Sequence, residues 1–425
     1  MPRHSSASTV LGPLYADKTG KLPEEKSFFA DLIGMLSYML DLEEPRKLYH
    51  AWRVSIVASK MAKVILPDQR AEVHYAALLH DIGVVGFADQ LAHASLKGKD
   101  LKIPGIWNHP SRGAEIVARI PGLIGCTRFI QEHHEWYNGE GYPNGKRGNE
   151  IAVGSRIIRI ADSFDVYLQN RSQISWMDVK IHFQNQLGQE FPQQIHDCFV
   201  EVMDKDNLFH ALTSNSRLPG LLEQIQAELP LIAIPPGTDA IGTTLQVFAE
   251  VIDAKHRYTK GHSARVAKYA VKIAKKMKLP HDDVTKVKWA ALLHDAGKIA
   301  VPRSILDKPG ALTSEEFEVI KLHPKRTEEI LKMIDVFHEL ASIAGHHHER
   351  YDGKGYPDKL RREEIPLLAR ILAVSDAFDG ITSARPYQET RTSKQAIRIL
   401  HENAGTQFDP RVVAAASTIL GRKVI

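Results

Sequence analysis

Residues 294–298 read HDAGK and residues 347–357 read HHERYDGKGYP; residues 80–84 read HDIGV and residues 133–143 read HHEWYNGEGYP. The two pairs of strings are separated by the same interval, since 294 − 80 and 347 − 133 both give 214. Working outward, His323 and Asp376 stand 214 residues after His109 and Asp162, and His262 stands 212 after His50. Scattered coincidence among 21 histidines does not produce an ordered series of that kind. The chain therefore carries the same set of metal-ligand residue types twice: His50, His80, Asp81, His109, His133, His134 and Asp162, then His262, His294, Asp295, His323, His347, His348 and Asp376. A binuclear centre needs about four ligands per metal, and imidazole with carboxylate suits Fe, Mn, Zn or Ni better than Ca or Mg. Adjacent His and Asp on one helical turn diverge by about 100°, so the imidazole can serve one metal while the carboxylate reaches between two. The triplet 346–348 leaves two registers open, and the repeat decides for His347-His348, because His346 aligns with Glu132.

At 425 residues, an offset of 214 divides the chain into two domains, each long enough to bury its own core. The expected organisation is a flexible tail (1–25), a first domain (26–215), a connector (216–239) whose proline and glycine mark a boundary, and a second domain (240–425). Apolar residues recur at helical spacing from Phe29 through Leu40, Val54 to Val64 and Val266 to Met277, and strand-like alternation is rare, so the fold class is all-α. Thr313 and Glu316 form a capping box that opens the helix delivering His323, with Pro324 marking its end. The 55 basic and 51 acidic residues are interspersed, which argues against polymeric nucleic acid as a partner and leaves a small anionic ligand open. Two cysteines give no disulfide framework, and neither an apolar run of membrane-spanning length nor a secretory signal is present, so a cytoplasmic protein is expected.

The strings HDAGK, HHERYDGKGYP and ARILAVSDAFDGITSARPYQ (369–388) closely resemble the HD-GYP family, a branch of the HD superfamily of metal-dependent phosphohydrolases. The resemblance covers residues 240–425. It implies a helical bundle with a binuclear or trinuclear, usually iron or manganese, site, which the repeat makes one of two in tandem, and hydrolysis of a cyclic dinucleotide, chiefly cyclic di-GMP, to a linear dinucleotide or on to mononucleotides. Trinuclear members carry a Glu four residues before the first ligand His; here Tyr258 stands there, so two metals are expected. Two cations ~3.5–4 Å apart clamp a phosphodiester and bring a bridging water's pKa towards ~7, supplying hydroxide for in-line attack. Asp295 and Lys298 are the residues expected to carry the chemistry, with Lys298 neutralising phosphate charge and Arg385 able to bind phosphate bidentately. The resemblance also places the GYP loop with Tyr356 at a substrate or partner surface. Gln388 replaces the basic residue that usually ends the RPY[R/K] string, which leaves cyclic di-GMP and a mixed GMP-AMP cyclic dinucleotide both open.

The first copy keeps all seven ligand types but has Val84 in place of Lys298 and Asn138 in place of Asp352. Arg171 aligns with Arg385, yet Ser172-Gln173 replaces the following Pro-Tyr, and Arg46 stands where a third-metal Glu would be. It is read as a metal-loaded domain with little or no activity that serves regulation or dimerisation, the alternatives being a second working site or a site that binds no metal. Two other functions compete: a non-catalytic cyclic dinucleotide receptor acting on a partner such as a diguanylate cyclase, and a phosphohydrolase of another small phosphate ester.

Overall fold

The computed structural model describes residues 25–42, 48–85, 104–171, 173–230, 232–235, 238–255, 259–383 and 390–421. Arg46, Ser172, Tyr258, Arg385, Gln388 and the tail expected over the first residues lie outside them. Residues 24–244 form one compact unit and residues 245–425 belong to a second.

The first unit consists of α1 (Glu25–Asp41), α2 (His50–Ile65), α3 (Arg70–Leu79), α4 (Pro104–Val117), α5 (Thr127–Gln131), α6 (Val153–Gln169), α7 (Trp176–Gln184), α8 (Gln193–Asp204), α9 (Leu208–Leu212) and α10 (Leu218–Glu228). The second consists of α11 (Ala240–Ala254), α12 (His262–Lys276), α13 (His281–Leu293), α14 (Arg303–Leu306), α15 (Ser314–Lys321), α16 (His323–Leu331), α17 (His338–Gly345), α18 (Leu367–Thr382), α19 (Ser393–Glu402) and α20 (Pro410–Leu420). No strand occurs among the described residues, as the period of the apolar residues predicts.

The repeat in sequence is a repeat in packing. In the first unit α2 lies at the centre against α3, α6 and α8; in the second α12 occupies the same place against α13, α18 and α20. Both central helices are lined by residues sealed from solvent, Val54, Val57, Ala58 and Met61 in one and Val266, Ala270, Ile273 and Ala274 in the other. Each fully buried Val, Ile, Leu, Met or Phe contributes roughly 1.5–3 kcal/mol, so this apolar stripe, rather than the ligands, carries the bundle. Each central helix also starts in the same way. Asp41 accepts the amide of Ala51 at 3.1 Å, and Asp253 accepts the amide and hydroxyl of Ser263 at 3.1 and 2.7 Å, so a buried carboxylate satisfies a free N–H of the first turn.

Two expectations change against this fold. The segment expected to connect the halves, 216–239, contains α10, whose Leu218, Leu222 and Ile225 are buried in the first unit. Its Glu228 also pairs with Lys63 (2.9 Å) and Arg70 (3.1 Å). The half-exposed Glu228 contributes little; the apolar face holds the segment down. The second change concerns Pro324. The Thr313/Glu316 capping box opens α15 as expected, but that helix ends at Lys321, and His323 begins α16 with Pro324 in its first turn. Proline there lacks only an N–H that would have been unpaired anyway, so it starts a helix as readily as it ends one.

Candidate metal centre

The leading histidine of each copy opens the central helix directly after a residue in the left-handed region, Tyr49 at φ 64° and Gly261 at φ 70°. Glycine adopts this conformation at no steric cost, whereas Tyr49 is held in it by packing on Tyr38 and Trp52. The turn aims the ring inward. His262 Nδ1 donates to Asp379 at 2.8 Å and Arg265 grips the same carboxylate at 2.7 and 3.0 Å; His50, Asp165 and Arg53 repeat the arrangement, with His50 to Asp165 at 2.7 Å. A histidine whose Nδ1–H is committed to an acceptor presents the lone pair of Nε2, as metal-ligating histidines do.

Three further ring pairs are fixed the same way by main-chain carbonyls three residues back. His80 and His294 donate to Ala77 and Ala291 (both 2.8 Å), and His109 and His323 donate to Ile106 and Ile320 (2.6 and 2.7 Å). His133 and His347 donate to Ile130 and Ala344 at 2.5 and 2.6 Å. The i−3 geometry follows from placement: His80 and His294 cap the C-terminal ends of α3 and α13, where carbonyls are otherwise unpaired. Asp295 then follows in the turn leading into Ala296–Ala300.

In the second unit the donor atoms fall into overlapping groups within 4.8 Å: His262, His294 and Asp376; His294, Asp295 and His347; His323, His347 and His348. Asp295 lies between them, with Oδ2 3.5 Å from His294 Nε2 and 3.8 Å from His262 Nε2, and Oδ1 3.4 Å from His323 Nε2. In the first unit the groups are His50, His80 and Asp162, and Asp81, His109, His133 and His134. Asp81 has the same intermediate position, 3.7 Å from His80, 3.8 Å from His50 and 3.4 Å from His109. His346 bonds Asp358 and the Ser342 carbonyl and belongs to no group, in keeping with the register chosen from the repeat.

The residue types and their burial make this centre a candidate for a cation. Asp295 Oδ1, His323 Nε2 and His347 Nε2 are buried without a hydrogen-bond partner, an expensive arrangement for polar atoms. In the first unit two pairs of ring nitrogens face each other, His50 with His80 at 3.2 Å and His109 with His133 at 3.3 Å. Burial drives His347 down to about 4 and His323 and His348 well below the ordinary imidazole range, so these rings are neutral. Burial alone would raise Asp295 and Asp376, but nearby histidines, with Lys298 for Asp295, hold both carboxyls well below their ordinary value. Burial also pulls His262 down, yet its bonds to Asp376 and Asp379 outweigh this and lift it to about 10. Neutral imidazoles beside ionised carboxylates are the donor set of a divalent metal, and the residues present fit one provided that His262 releases its Nε2 proton on binding.

Glycine is required where the turn meets the next ligand helix. A Cβ on Gly297 would lie 2.1 Å from the His323 carbonyl oxygen, and one on Gly83 would lie 2.1 Å from that of His109. Both obstacles are backbone, so they cannot rotate away. Gly297→Ala is expected to push Asp295 from His323 and lower kcat by about 100-fold, the usual cost of a misplacement near 1 Å. An unchanged kcat would show that the turn tolerates the shift.

Lys298 Nζ bonds Asp295 at 2.8 Å and keeps 26% of its side chain exposed, so it reaches both the centre and solvent. Tyr356 stacks on His348 with ring centroids 5.0 Å apart. Beside them opens a cavity of about 220 Å³ lined by His348, Asp376, Ala373, Ala377, Gly380 and Gln407. Asp379 and Asp165, with Arg265 and Arg53, are the functional positions that ligand spacing missed. A signal was present, since Asp-x-x-Asp recurs at 162/165 and 376/379 with the offset of the ligands.

Comparison with known proteins agrees with this geometry. The chain is 33% identical over 326 residues to 3'3'-cGAMP-specific phosphodiesterase 3 of Vibrio cholerae, covering 76% of this chain and 69% of the relative. It is 45% identical over 177 residues to the cyclic di-GMP phosphodiesterase response regulator RpfG of Xanthomonas campestris pv. campestris, covering 40% of this chain and 46% of that protein. The crystal structure of the V. cholerae cyclic GMP-AMP-specific phosphodiesterase V-cGAP3 superposes with a TM-score of 0.65 at 25% identity, covering 92% of this chain and 97% of that one. The HD domain profile matches residues 34–184 and again 246–412, one match per unit. A metal-ligand set built twice on two helical bundles, each recognised by that profile, places the chain in the HD domain family, in its HD-GYP branch.

Proposed function

We propose that the second unit hydrolyses a phosphodiester bond of a cyclic dinucleotide, 3'3'-cGAMP or cyclic di-GMP. The observation that carries this reading is the position of Asp295, one oxygen towards each of two histidine groups and a lysine on the same carboxylate. His262, His294 and Asp376 would hold one divalent ion, Fe or Mn, and His323, His347 and His348 a second, with Asp295 shared. Such ions, when bound, supply Lewis-acid stabilisation of phosphoryl charge and a nucleophile at neutral pH.

The chain's own residues do the rest. Asp379 and the carbonyls of Ala291, Ile320 and Ala344 hold each ring in the tautomer that presents Nε2. Lys298 places an ammonium beside the reacting phosphate and offers N–H donors to its oxygens. The cavity beside His348, closed by small residues at Ala373, Ala377 and Gly380, accepts the nucleotide, with Gln407 supplying donor and acceptor atoms for a base edge. A relative matched across both units is named for 3'3'-cGAMP, and this favours the mixed dinucleotide as the better substrate.

Purified chain supplied with Mn²⁺ or Fe²⁺ and offered cyclic di-GMP, 3'3'-cGAMP, cyclic di-AMP and simple nucleotides tests this by chromatography of the products. Linear dinucleotide or mononucleotide from one of the first two is expected; intact cyclic dinucleotides with metal bound would end the proposal. In the same assay Lys298→Ala is expected to lower kcat/KM by about 10–100-fold, the loss of a charge-assisted hydrogen bond worth about 1.5–3 kcal/mol. Full activity in that variant would remove Lys298 from phosphate handling.

A further inference from the structure

Several positions that line the cavity beside His348 carry different residues in the first unit. Applying the 214 offset, Ala373, Ala377 and Gly380 correspond to Arg159, Ser163 and Val166, and Arg350 corresponds to Trp136. Gln407 corresponds to Glu190, because Tyr351 N–H donates to the Gln407 carbonyl at 3.2 Å and Tyr137 N–H donates to the Glu190 carbonyl at 3.2 Å. Each of these five positions is larger or newly charged in the first unit.

These residues form one connected group. Arg159 Nε and Nη2 donate to Glu190 Oε2 at 3.1 and 2.7 Å, Ser163 donates to the same oxygen at 3.4 Å, and the guanidinium lies 5.8 Å from the centre of the Trp136 ring. Only 14% of the Arg159 side chain and 13% of the Glu190 side chain are exposed. The third guanidinium nitrogen reaches the metal-ligand set itself, with Nη1 2.9 Å from His134 Nδ1 and 3.5 Å from Asp162 Oδ2.

A guanidinium has donors only, so its bond to His134 uses the lone pair of Nδ1. A ring nitrogen that accepts carries no proton, and an imidazole that accepts at Nδ1 holds its proton on the other side of the ring. Its proton is then on Nε2, the only other nitrogen, and neither nitrogen is left to bind a metal. The other four histidines of this set are held the opposite way, with Nδ1 donating. Proximity alone groups His134 with Asp81, His109 and His133; the hydrogen bond takes it out. In the second unit Ala373 offers no donor to His348.

We propose that Arg159, clamped by Glu190, removes His134 from the ligand set of the first unit and fills the space its counterpart keeps open, so that this centre binds metal through fewer ligands and admits no phosphodiester. The proposal rests on the metal-centre reading of both units. The guanidinium acts as a built-in cation at one edge of the site, so the first unit keeps most of its ligands while losing the geometry for turnover.

Metal content of the full chain after equilibration with Mn²⁺ tests it, with circular dichroism confirming the helical fold of each variant. His348→Ala is expected to lose metal, its affinity falling by at least about 100-fold as a lost ligand exceeds the effect of a lost supporting bond. His134→Ala is expected to keep the wild-type content. Arg159→Met, which keeps bulk but removes the donor, is expected to raise the metal content, and Arg159→Met/His134→Ala to cancel the rise. The proposal is overturned if His134→Ala loses as much metal as His348→Ala, or if folded Arg159→Met binds no more than wild type. If neither His80→Ala nor His294→Ala changes the metal content, the metal-centre reading fails and the proposal with it.

Discussion

Asp295→Asn is expected to lower kcat on the cyclic dinucleotide by about three orders of magnitude, on the order of 4 kcal/mol of transition-state stabilisation, with the helical fold intact. The substitution keeps the shape and removes the charge. One carboxylate oxygen becomes an amide nitrogen that faces a ring nitrogen as a donor, either that of His323 at the 3.4 Å position or those of His294 and His262 at 3.5 and 3.8 Å. A group with an oxygen towards each of two ligand sets then offers an oxygen to only one. Lys298 loses its ionic partner as well and is left beside the centre without compensation. Metal content measured beside kcat separates the causes: a fall in both points to the shared ligand, and a fall in kcat alone to the electrostatics of Asp295 and Lys298. A kcat within tenfold of wild type would show that Asp295 is not the joining ligand.

Asp165→Ala is expected to destabilise the first unit by about 3–5 kcal/mol, the usual result of removing one member of a buried ion pair. Arg53 is 2% exposed and Asp165 lies in contact with it, so the variant buries a guanidinium whose main partner is gone, and His50 loses its acceptor at the same time. The bond from Arg53 to Asn215 at 3.4 Å is too long to compensate. Asp379→Ala in the second unit removes the equivalent carboxylate with a smaller effect, about 1–2 kcal/mol, because Arg265 is 38% exposed and regains water. Its larger consequence is functional: His262 loses the bond that fixes its tautomer, lowering metal affinity or activity by about 10–100-fold. Urea unfolding of the two variants distinguishes these outcomes. Equal destabilisation would show that the exposure of the arginine does not decide the cost.

The residues that cluster as candidate ligands were legible in the sequence because a metal centre would constrain residue type and order together, and a duplication would display that constraint twice. The helical class was legible from apolar period. Asp165 and Asp379 escaped because a carboxylate that orients a ligand carries no mark of metal binding, and only the repeat of their spacing could have revealed it. Pro324 was misread since the same ring that stops a helix also fits its first turn. The segment 216–239 shows a related ambiguity: proline and glycine suggest a linker, yet Pro219 sits in the first turn of α10, and burial of Leu222 and Ile225 decides its structure. Arg159 was visible as a residue but not as an obstruction, for its partner Glu190 stands 217 residues before Gln407 rather than 214, outside the register of the ligands. Only the shared backbone bonds to Tyr137 and Tyr351 align the two.

The claim that the two centres share a ligand plan but divide in function is tested by measuring turnover of 3'3'-cGAMP and cyclic di-GMP by Asp81→Asn and Asp295→Asn side by side at saturating Mn²⁺. Asp81→Asn is expected to stay within about tenfold of wild-type kcat, while Asp295→Asn falls by about three orders of magnitude. Retained turnover in Asp295→Asn together with its loss in Asp81→Asn would place the chemistry in the first unit and contradict the account.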